Sequence, residues 1–303
     1  MFVEIEDGVK VEVRITNEGK GESILLANGS IFNFRQYDMV LFPYLRKLLK
    51  DRYTFIQYDY VGIGQSSPLK GDFDFVKIAD QQIELLDILG VDKVHLFGYS
   101  KGALINQLVA AKSPERVSSM GAYGSPNLAD PNSLDWAIDE FKSRVKRLET
   151  LRDIWEQKIS EQNYGKVYDT VFRPTIFRNE KFSLIDRVKN AYFRRKLKPL
   201  LLGTKVEVLY KLFDYYTRPT PKEEKVRYTE AIKSIQAPTF LMHGTDDEII
   251  PISASRLLNE WIPNSTLMEL EGYRHSEPML VSSKGKTLMH HYANFLFQLK
   301  EMD

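Results

Sequence analysis

A chain of 303 residues with 43% hydrophobic and 27% charged side chains has room for one large α/β domain with an insertion, and its composition excludes a disordered protein. The formal net charge of +1 argues against a nucleic-acid partner, and the absence of cysteine excludes disulfides, thiolate metal sites and a cysteine nucleophile and suits a cytoplasmic protein. The opening MFVEIEDGVK has acids where a signal peptide needs an apolar stretch, and no apolar run is long enough to cross a bilayer, so no membrane role is expected.

Residues 2–15 alternate apolar and polar through Phe2, Val3, Ile5, Val9, Val11, Val13 and Ile15, with Asp7-Gly8 between, which predicts a two-stranded hairpin. After the NEGKG loop at 17–21, Ser23 to Ala27 reads as a buried strand ending on Asn28-Gly29-Ser30. This junction is either a plain strand-to-loop turn or one that aims a backbone N–H of Ser30 or Ile31 beyond the strand. Val40, Leu41, Tyr44, Leu45, Leu48 and Leu49 form a helical stripe, and Tyr53 to Tyr58 a strand. The loop DYVGIGQS at 59–66 is rich in glycine but too short and too poor in basic residues to cradle a phosphate. Asp72 or Asp74 caps a helix whose face is Phe75, Ala79, Ile83, Leu86 and Leu89, stopped by Gly90.

The stretch VHLFGYSKG at 94–102 runs from an apolar strand into Gly98-Tyr99-Ser100-Lys101-Gly102, and the helical ALINQLVAA follows at once. A sharp turn between strand and helix forces Ser100 into a strained backbone and lifts its hydroxyl out of the sheet, with Gly98 and Gly102 leaving the room this needs. The helix N-terminus behind Ser100 supplies free N–H groups, that of Lys101 among them, and positive potential for a developing oxyanion. Val117 to Tyr123 is the next strand, and the alternation of strands with helices implies a mainly parallel sheet.

From 127 the texture changes. Leu134, Ile138, Phe141, Val145, Leu148 and Trp155 predict one long helix, and further helices are expected over 182–198, 200–216 and 222–235 with Pro174, Pro199, Pro219 and Pro221 as breaks. Residues 127–236 therefore read as a helical insertion between a core of 1–126 and 237–303. The insertion holds 23 Lys plus Arg against 16 Asp plus Glu, net +7, while the remainder holds 19 against 25, net −6. Arg194, Arg195, Lys196 and Lys198 are its densest basic cluster, read either as a solvated face or as a dock for an anionic substrate or an acidic acyl-carrier protein. Strands resume at 238–243 and 266–270, and Leu288, Tyr292, Phe295 and Leu299 mark a final helix.

A serine hydroxyl needs a base to take its proton and an acid to orient that base. His243-Gly244-Thr245-Asp246-Asp247 places carboxylates at a strand end, and the next strand runs into Glu271-Gly272-Tyr273-Arg274-His275. Of the five histidines, His95 lies within a strand and reads as a packed residue, and His243 ends a strand and reads either as structural or as lining the pocket. His290 and His291 are adjacent on a helix, where they point apart and share no metal. Only His275 follows a strand on a short G-x-x-H loop, and no metal or organic cofactor is implied.

These motifs, NGS at 28–30, DYVGIGQS at 59–66, GYSKG at 98–102, HGTDDEIIP at 243–251 and GYRH at 272–275, resemble in order those of the α/β-hydrolase superfamily. The resemblance implies a mostly parallel sheet with helices on both faces and a helical cap inserted after the sixth strand. It implies Ser100 as nucleophile, His275 as base, Asp247 rather than Asp246 as acid, and backbone N–H groups of Lys101 and of Ser30 or Ile31 as oxyanion donors. Where the family usually has His before the loop glycine, this chain has Asn28, which leaves the backbone donor in place. The N-G-S and G-Q-S loops are also similar to those of rhamnolipid-precursor acyltransferases. The expected activity is hydrolysis of a carboxylic ester or thioester, with acyl transfer by the same triad as the alternative and a non-catalytic ligand receptor as a third.

Overall fold

In the computed structural model, which describes residues 1–29, 31–50, 52–129, 135–176, 184–218 and 220–302, the alternating segments pair into one eight-stranded sheet. Its strands are β1 (Phe2–Ile5), β2 (Val9–Thr16), β3 (Glu22–Ala27), β4 (Tyr53–Tyr58), β5 (Val94–Tyr99), β6 (Val117–Tyr123), β7 (Thr239–Gly244) and β8 (Ser265–Leu270). They lie in the order β1-β2-β4-β3-β5-β6-β7-β8. The expected hairpin forms β1 and β2, joined by a 3-10 turn at Glu6–Gly8, and β2 runs antiparallel to β4. All further neighbours from β4 to β8 are parallel, so the C-terminal ends of β3 to β8 open on one side.

The helices of the first half are α1 (Leu41–Leu49), α2 (Phe75–Ile88) and α3 (Lys101–Lys112). The cap of α2 is Asp74, whose carboxylate accepts from Val76 N–H at 2.9 Å and Lys77 N–H at 3.2 Å, while Asp72 sits 3.7 Å from Arg218. Between β6 and β7 come α4 (Asp135–Glu149), α5 (Tyr164–Val167), α6 (Arg173–Ile176), α7 (Leu184–Leu201), α8 (Val206–Thr217) and α9 (Lys222–Lys233), and α10 (Ile252–Trp261), α11 (Glu277–Leu280) and α12 (Ser282–Met302) follow.

Period two along the strands makes two cores. Ile24, Leu26, Phe55, Phe97, Tyr99, Tyr123 and Met242 pack against α1 and α12 through Leu41, Leu45, Leu288 and Tyr292. Leu25, Ala27, Ile56, Leu96, Met120 and Leu241 face the opposite way, toward α2, α3 and α10. Apolar residues of the inserted helices, among them Leu148, Val167, Leu209 and Leu212, belong to this second cluster, so the insertion continues the core layer.

Three expectations within the insertion are corrected. The first helix stops at Glu149 and does not reach Trp155. There the Thr150 hydroxyl donates to Arg147 O at 2.7 Å, Leu151 N–H bonds Leu148 O, and the chain tightens into a 3-10 turn at Arg152–Ile154. Pro199 does not break a helix. It lies inside α7, two residues before the helix ends at Leu201, and the break falls at Gly203, with φ +90°. A helical run from Tyr164 to Ile176, unforeseen in the sequence, contains Pro174. Arg173 N–H bonds Tyr168 O, five residues back, so the register has already widened into a π turn where the proline follows. Leu134 and Phe182 lie outside the described residues, as do Ser30 and Pro219.

The end of α7 is held by the loop after β3. Asn33 N–H donates to Leu200 O at 3.0 Å and its amide Nδ2 to Pro199 O at 2.9 Å, while its Oδ1 accepts from Arg35 N–H at 3.1 Å. Because Asn33 is fully buried, water does not replace these bonds. Asn33→Ala is expected to lower the free energy of unfolding by about 1–3 kcal/mol. In urea denaturation the midpoint should fall with the slope unchanged.

Candidate active site

Ser100 forms the turn between β5 and α3 with φ +53° and ψ −119°. Such a backbone costs a residue with a side chain about 1–3 kcal/mol and persists only where its surroundings impose it. Here Ser100 N–H donates to Tyr123 O at 2.9 Å, and its carbonyl accepts from Ala103 N–H at 2.9 Å and Leu104 N–H at 3.3 Å. A Cβ on Gly102 would lie 2.1 Å from Ala27 O and 2.6 Å from Asn28 O, so α3 begins this close to β3 only with glycine there. The helix start is thereby pressed against the loop that begins at Asn28. Among the described hydrogen bonds, no protein acceptor takes the N–H of Lys101 or of Ile31. Ile31 is buried, and Ser30, the other expected donor, lies outside the described residues.

Asp247 and His275 come together on the loops after β7 and β8. His275 Nδ1 lies 2.6 Å from Asp247 Oδ2, and Asp247 Oδ1 accepts from the N–H groups of Ile249 and Ile250, both at 2.8 Å. A carboxylate only accepts, so Nδ1 carries the imidazole proton and Nε2 is left to receive one. Of the two neighbouring carboxylates, Asp247 is the one that meets His275, while the described hydrogen bond of the Asp246 side chain is with the Thr245 hydroxyl at 3.4 Å.

The pair sits on Gly124. A Cβ there would be 3.0 Å from His275 Cε1 and Nδ1 and 3.2 Å from Asp247 Oδ2. Gly124 directly follows Tyr123, whose carbonyl holds Ser100 N–H, so the serine turn and the acid–base pair meet around one peptide at the end of β6. No described hydrogen bond joins Ser100 Oγ to His275, an alignment that enzymes without substrate commonly leave loose. Ser100 is 7% exposed and His275 6%, so a bound carbonyl here would be largely shielded from water.

Four contributors had no signature in the sequence. Tyr99 OH donates to His275 O and Tyr123 OH to Arg274 O at 2.9 Å, so two tyrosines at paired positions of β5 and β6 hold the backbone of the histidine loop. Glu248 accepts from His275 N–H at 3.3 Å. His243, expected as structural or as lining the pocket, is fully buried and also lies 3.3 Å from Asp247 Oδ2. Burial alone would push Asp247 up, but the His275 charge and hydrogen bonds from His243 and His275 hold it well below the usual carboxylate range.

A second buried polar pair lies under the loop at 28–34. Asp59 Oδ1 accepts from Phe34 N–H at 2.6 Å and from Asn28 Nδ2 at 3.2 Å, bracketing that loop at both ends, while Oδ2 has no partner among the described residues. Burial pushes Asp59 up to about 8 despite those bonds. Lys101, next to the serine, is fully buried with Nζ 4.0 Å from the Tyr60 ring centroid and no hydrogen-bond partner. Burial brings its ammonium down to about 7 against the attraction of Asp59.

The remaining expected features are ordinary. His95 bonds Ser119 Oγ at 2.8 Å within the sheet, and among the described residues no cluster suited to a metal occurs. Lys198 pairs with Glu161 and Arg194 lies 3.6 Å from Asp169, so half of the basic cluster is engaged within the insertion. Phe141 stacks on Phe213 and Tyr216 at 5.9 and 5.1 Å, as insertion core. Among the described residues, no helix is long and apolar enough to cross a membrane.

A family model described as the alpha/beta hydrolase fold matches residues 28–279, a span that holds the serine turn, the acid loop and the histidine loop. The chain belongs to the α/β-hydrolase family. This hydrolase is 25% identical over 214 residues to 2-hydroxymuconate semialdehyde hydrolase of Pseudomonas putida, covering 69% of this chain and 66% of that enzyme. It is 23% identical over 274 residues to serine hydrolase BPHL of Mus musculus, covering 88% of this chain and 77% of the mouse protein. A carboxylesterase structure from Nitrososphaera gargenis superposes over the full length of both chains with TM-score 0.75 at 16% identity. A thermophilic esterase from Thermogutta terrifontis does so over 99% of this chain and 98% of its own with TM-score 0.70 at 18% identity. These structures are similar to the hydrolase in fold.

The Lys101 amine has an ordinary value of 10.5 in the unfolded chain and about 7 when folded, so its protonation opposes folding. The penalty is full below pH 7 and fades as pH rises toward 10.5. Lys101→Met, which keeps the apolar stem, is expected to raise the unfolding free energy at pH 6 by about 2–5 kcal/mol. At pH 10 the gain should nearly vanish, as urea titrations at the two pH values would record.

Proposed function

We propose that this protein is a serine hydrolase that cleaves a carboxylic ester or thioester through Ser100, His275 and Asp247. The observation that carries the reading is the buried 2.6 Å contact of His275 Nδ1 with Asp247 Oδ2, seated on Gly124 beside the strained turn of Ser100. Ser100 Oγ attacks the acyl carbonyl, His275 Nε2 takes the hydroxyl proton and returns it to the leaving group, and Asp247 stabilises the imidazolium. The N–H of Lys101, with that of Ile31 or Ser30, receives the oxyanion. Water then releases the acyl group by the same route. Relatives named as a semialdehyde hydrolase and a serine hydrolase support the hydrolytic class.

Residues 127–236 act in this reading as a lid over the C-terminal ends of the strands and set the acyl group that fits. Acyl transfer by the same residues is the second reading, favoured by the low exposure of Ser100 and His275, since a site that sheds water lets another acceptor compete. A small ester or thioester is the proposed substrate. The basic cluster on α7, of which Arg194 and Lys198 face Asp169 and Glu161, is read as a solvated face.

A fluorophosphonate probe is expected to label the wild type, to fail on Ser100→Ala, and to react far more slowly with His275→Ala. Turnover of p-nitrophenyl esters should fall about a thousandfold or more in Ser100→Ala and by a factor of about 10²–10⁴ in Asp247→Asn. A folded wild type that neither labels nor turns over any ester would overturn the hydrolase reading, and product ratios in added alcohol separate hydrolysis from transfer.

A further inference from the structure

His243 is fully buried at the end of β7, yet its ring touches three elements on which the acid depends. Nε2 lies 2.8 Å from Ile250 O and 3.3 Å from Asp247 Oδ2, and Nδ1 lies 2.6 Å from the hydroxyl of Ser255 on α10. A carbonyl and a carboxylate only accept hydrogen bonds, so the ring proton stands on Nε2. Nδ1 is then bare, and the Ser255 hydroxyl, itself buried, donates to it. The two acceptors at Nε2 thus select the tautomer, and Ser255 satisfies the other nitrogen and anchors the ring.

Ile250 closes the short turn that begins at Asp247. Its N–H and that of Ile249 hold Asp247 Oδ1, while its carbonyl is held by His243. One residue is gripped at both its N–H and its carbonyl, by the acid and by the histidine. The same Nε2–H lies beside Oδ2, the oxygen that receives His275 Nδ1–H. Removing the ring would leave Ile250 O without its donor in a place water does not reach, and the turn would be free to rotate Asp247 away.

We infer that His243 is a positioning residue of the triad, whose Nε2–H, oriented by Ser255, fixes the Asp247–Ile250 turn and keeps Asp247 Oδ2 aimed at His275. This rests on the hydrolase reading of Ser100, Asp247 and His275 and adds a fourth residue that touches no reacting atom. Its contribution belongs to the chemical step, because the substrate's binding surface does not include the ring.

The test is steady-state turnover of a p-nitrophenyl ester by His243→Leu and His243→Gln, with fluorophosphonate labelling of each protein in parallel. His243→Leu is expected to lose kcat about 10- to 100-fold with KM within about twofold. His243→Gln, whose amide N–H reaches the place of Nε2–H, is expected to recover kcat to within about threefold of wild type. Where His243→Leu does not fold, His243→Asn carries the decision, since it keeps an amide toward Ser255 and loses the outer donor, and the same kcat loss is expected. A folded Leu or Asn variant with kcat within twofold of wild type overturns the inference, as does a Gln variant no better than Leu. A wild type that fails to label removes the hydrolase reading and the inference with it, whereas normal wild-type labelling with unaffected variants removes the inference alone.

Discussion

The turn at Ser100 is the constraint around which the molecule is arranged. A non-glycine residue at φ +53° and ψ −119° persists only if its neighbours leave no relaxed alternative, and here β6 holds its N–H while α3 holds its carbonyl. That arrangement needs α3 to start against β3, which needs Gly102. Once the helix starts there, its unpaired first N–H groups and the loop at Asn28 share one corner. Parallel pairing from β4 to β8 then brings the ends of β6, β7 and β8 to the same side, so Gly124, Asp247 and His275 arrive at the serine without further design.

Two buried carboxyls near this corner differ because of their surroundings. Asp247 faces two backbone N–H groups through Oδ1 and two histidines through Oδ2, and is held as a carboxylate. Among the described residues, Asp59 has donors on one oxygen only, and it is pushed up to about 8. Burial acts on both in the same direction, and at Asp247 the His275 charge together with hydrogen bonds from His243 and His275 outweighs it, whereas at Asp59 burial prevails. A charged Asp247 suits an imidazolium partner. A largely neutral Asp59 suits a brace that holds Asn28 and Phe34 without adding negative potential beneath an oxyanion.

What was legible in the sequence follows from how local each signal is. Strands that alternate or run apolar, as at Ser23–Ala27 and Val94–Tyr99, declare themselves within six residues, and a glycine-flanked serine between strand and helix declares a turn. Asp247 and His275 were singled out because each stands in a short motif after a strand that resembles the family's, and the structure brings the two side chains together. The roles of Tyr99, Tyr123 and Glu248 were not legible, since each acts on a loop backbone far away in the chain, Tyr99 on a residue 176 positions later. His243 was not read as a partner of the acid because nothing along the chain says that a residue four places on will turn back to meet its ring. In the insertion, prolines misled the reading. Pro174 follows a register already widened at Phe172–Arg173, and Pro199 lies inside α7 without ending it, neither of which the sequence signals.

The attachment of the inserted helices bears directly on the site. Asn33 ties the end of α7 to the loop that follows β3, and Thr204 Oγ1 accepts from Gly64 N–H at 3.0 Å in the glycine-rich loop after β4. Asp59, which begins that second loop, brackets the first. The segment from 199 to 204 is therefore bonded to both loops that flank the expected oxyanion corner, and its apolar residues share a cluster with the sheet. A rigid-body departure of the insertion would break these buried bonds and expose that cluster together. In the proposed reading, the corner expected to receive an oxyanion is thereby held in place before a substrate arrives, as preorganised catalysis requires.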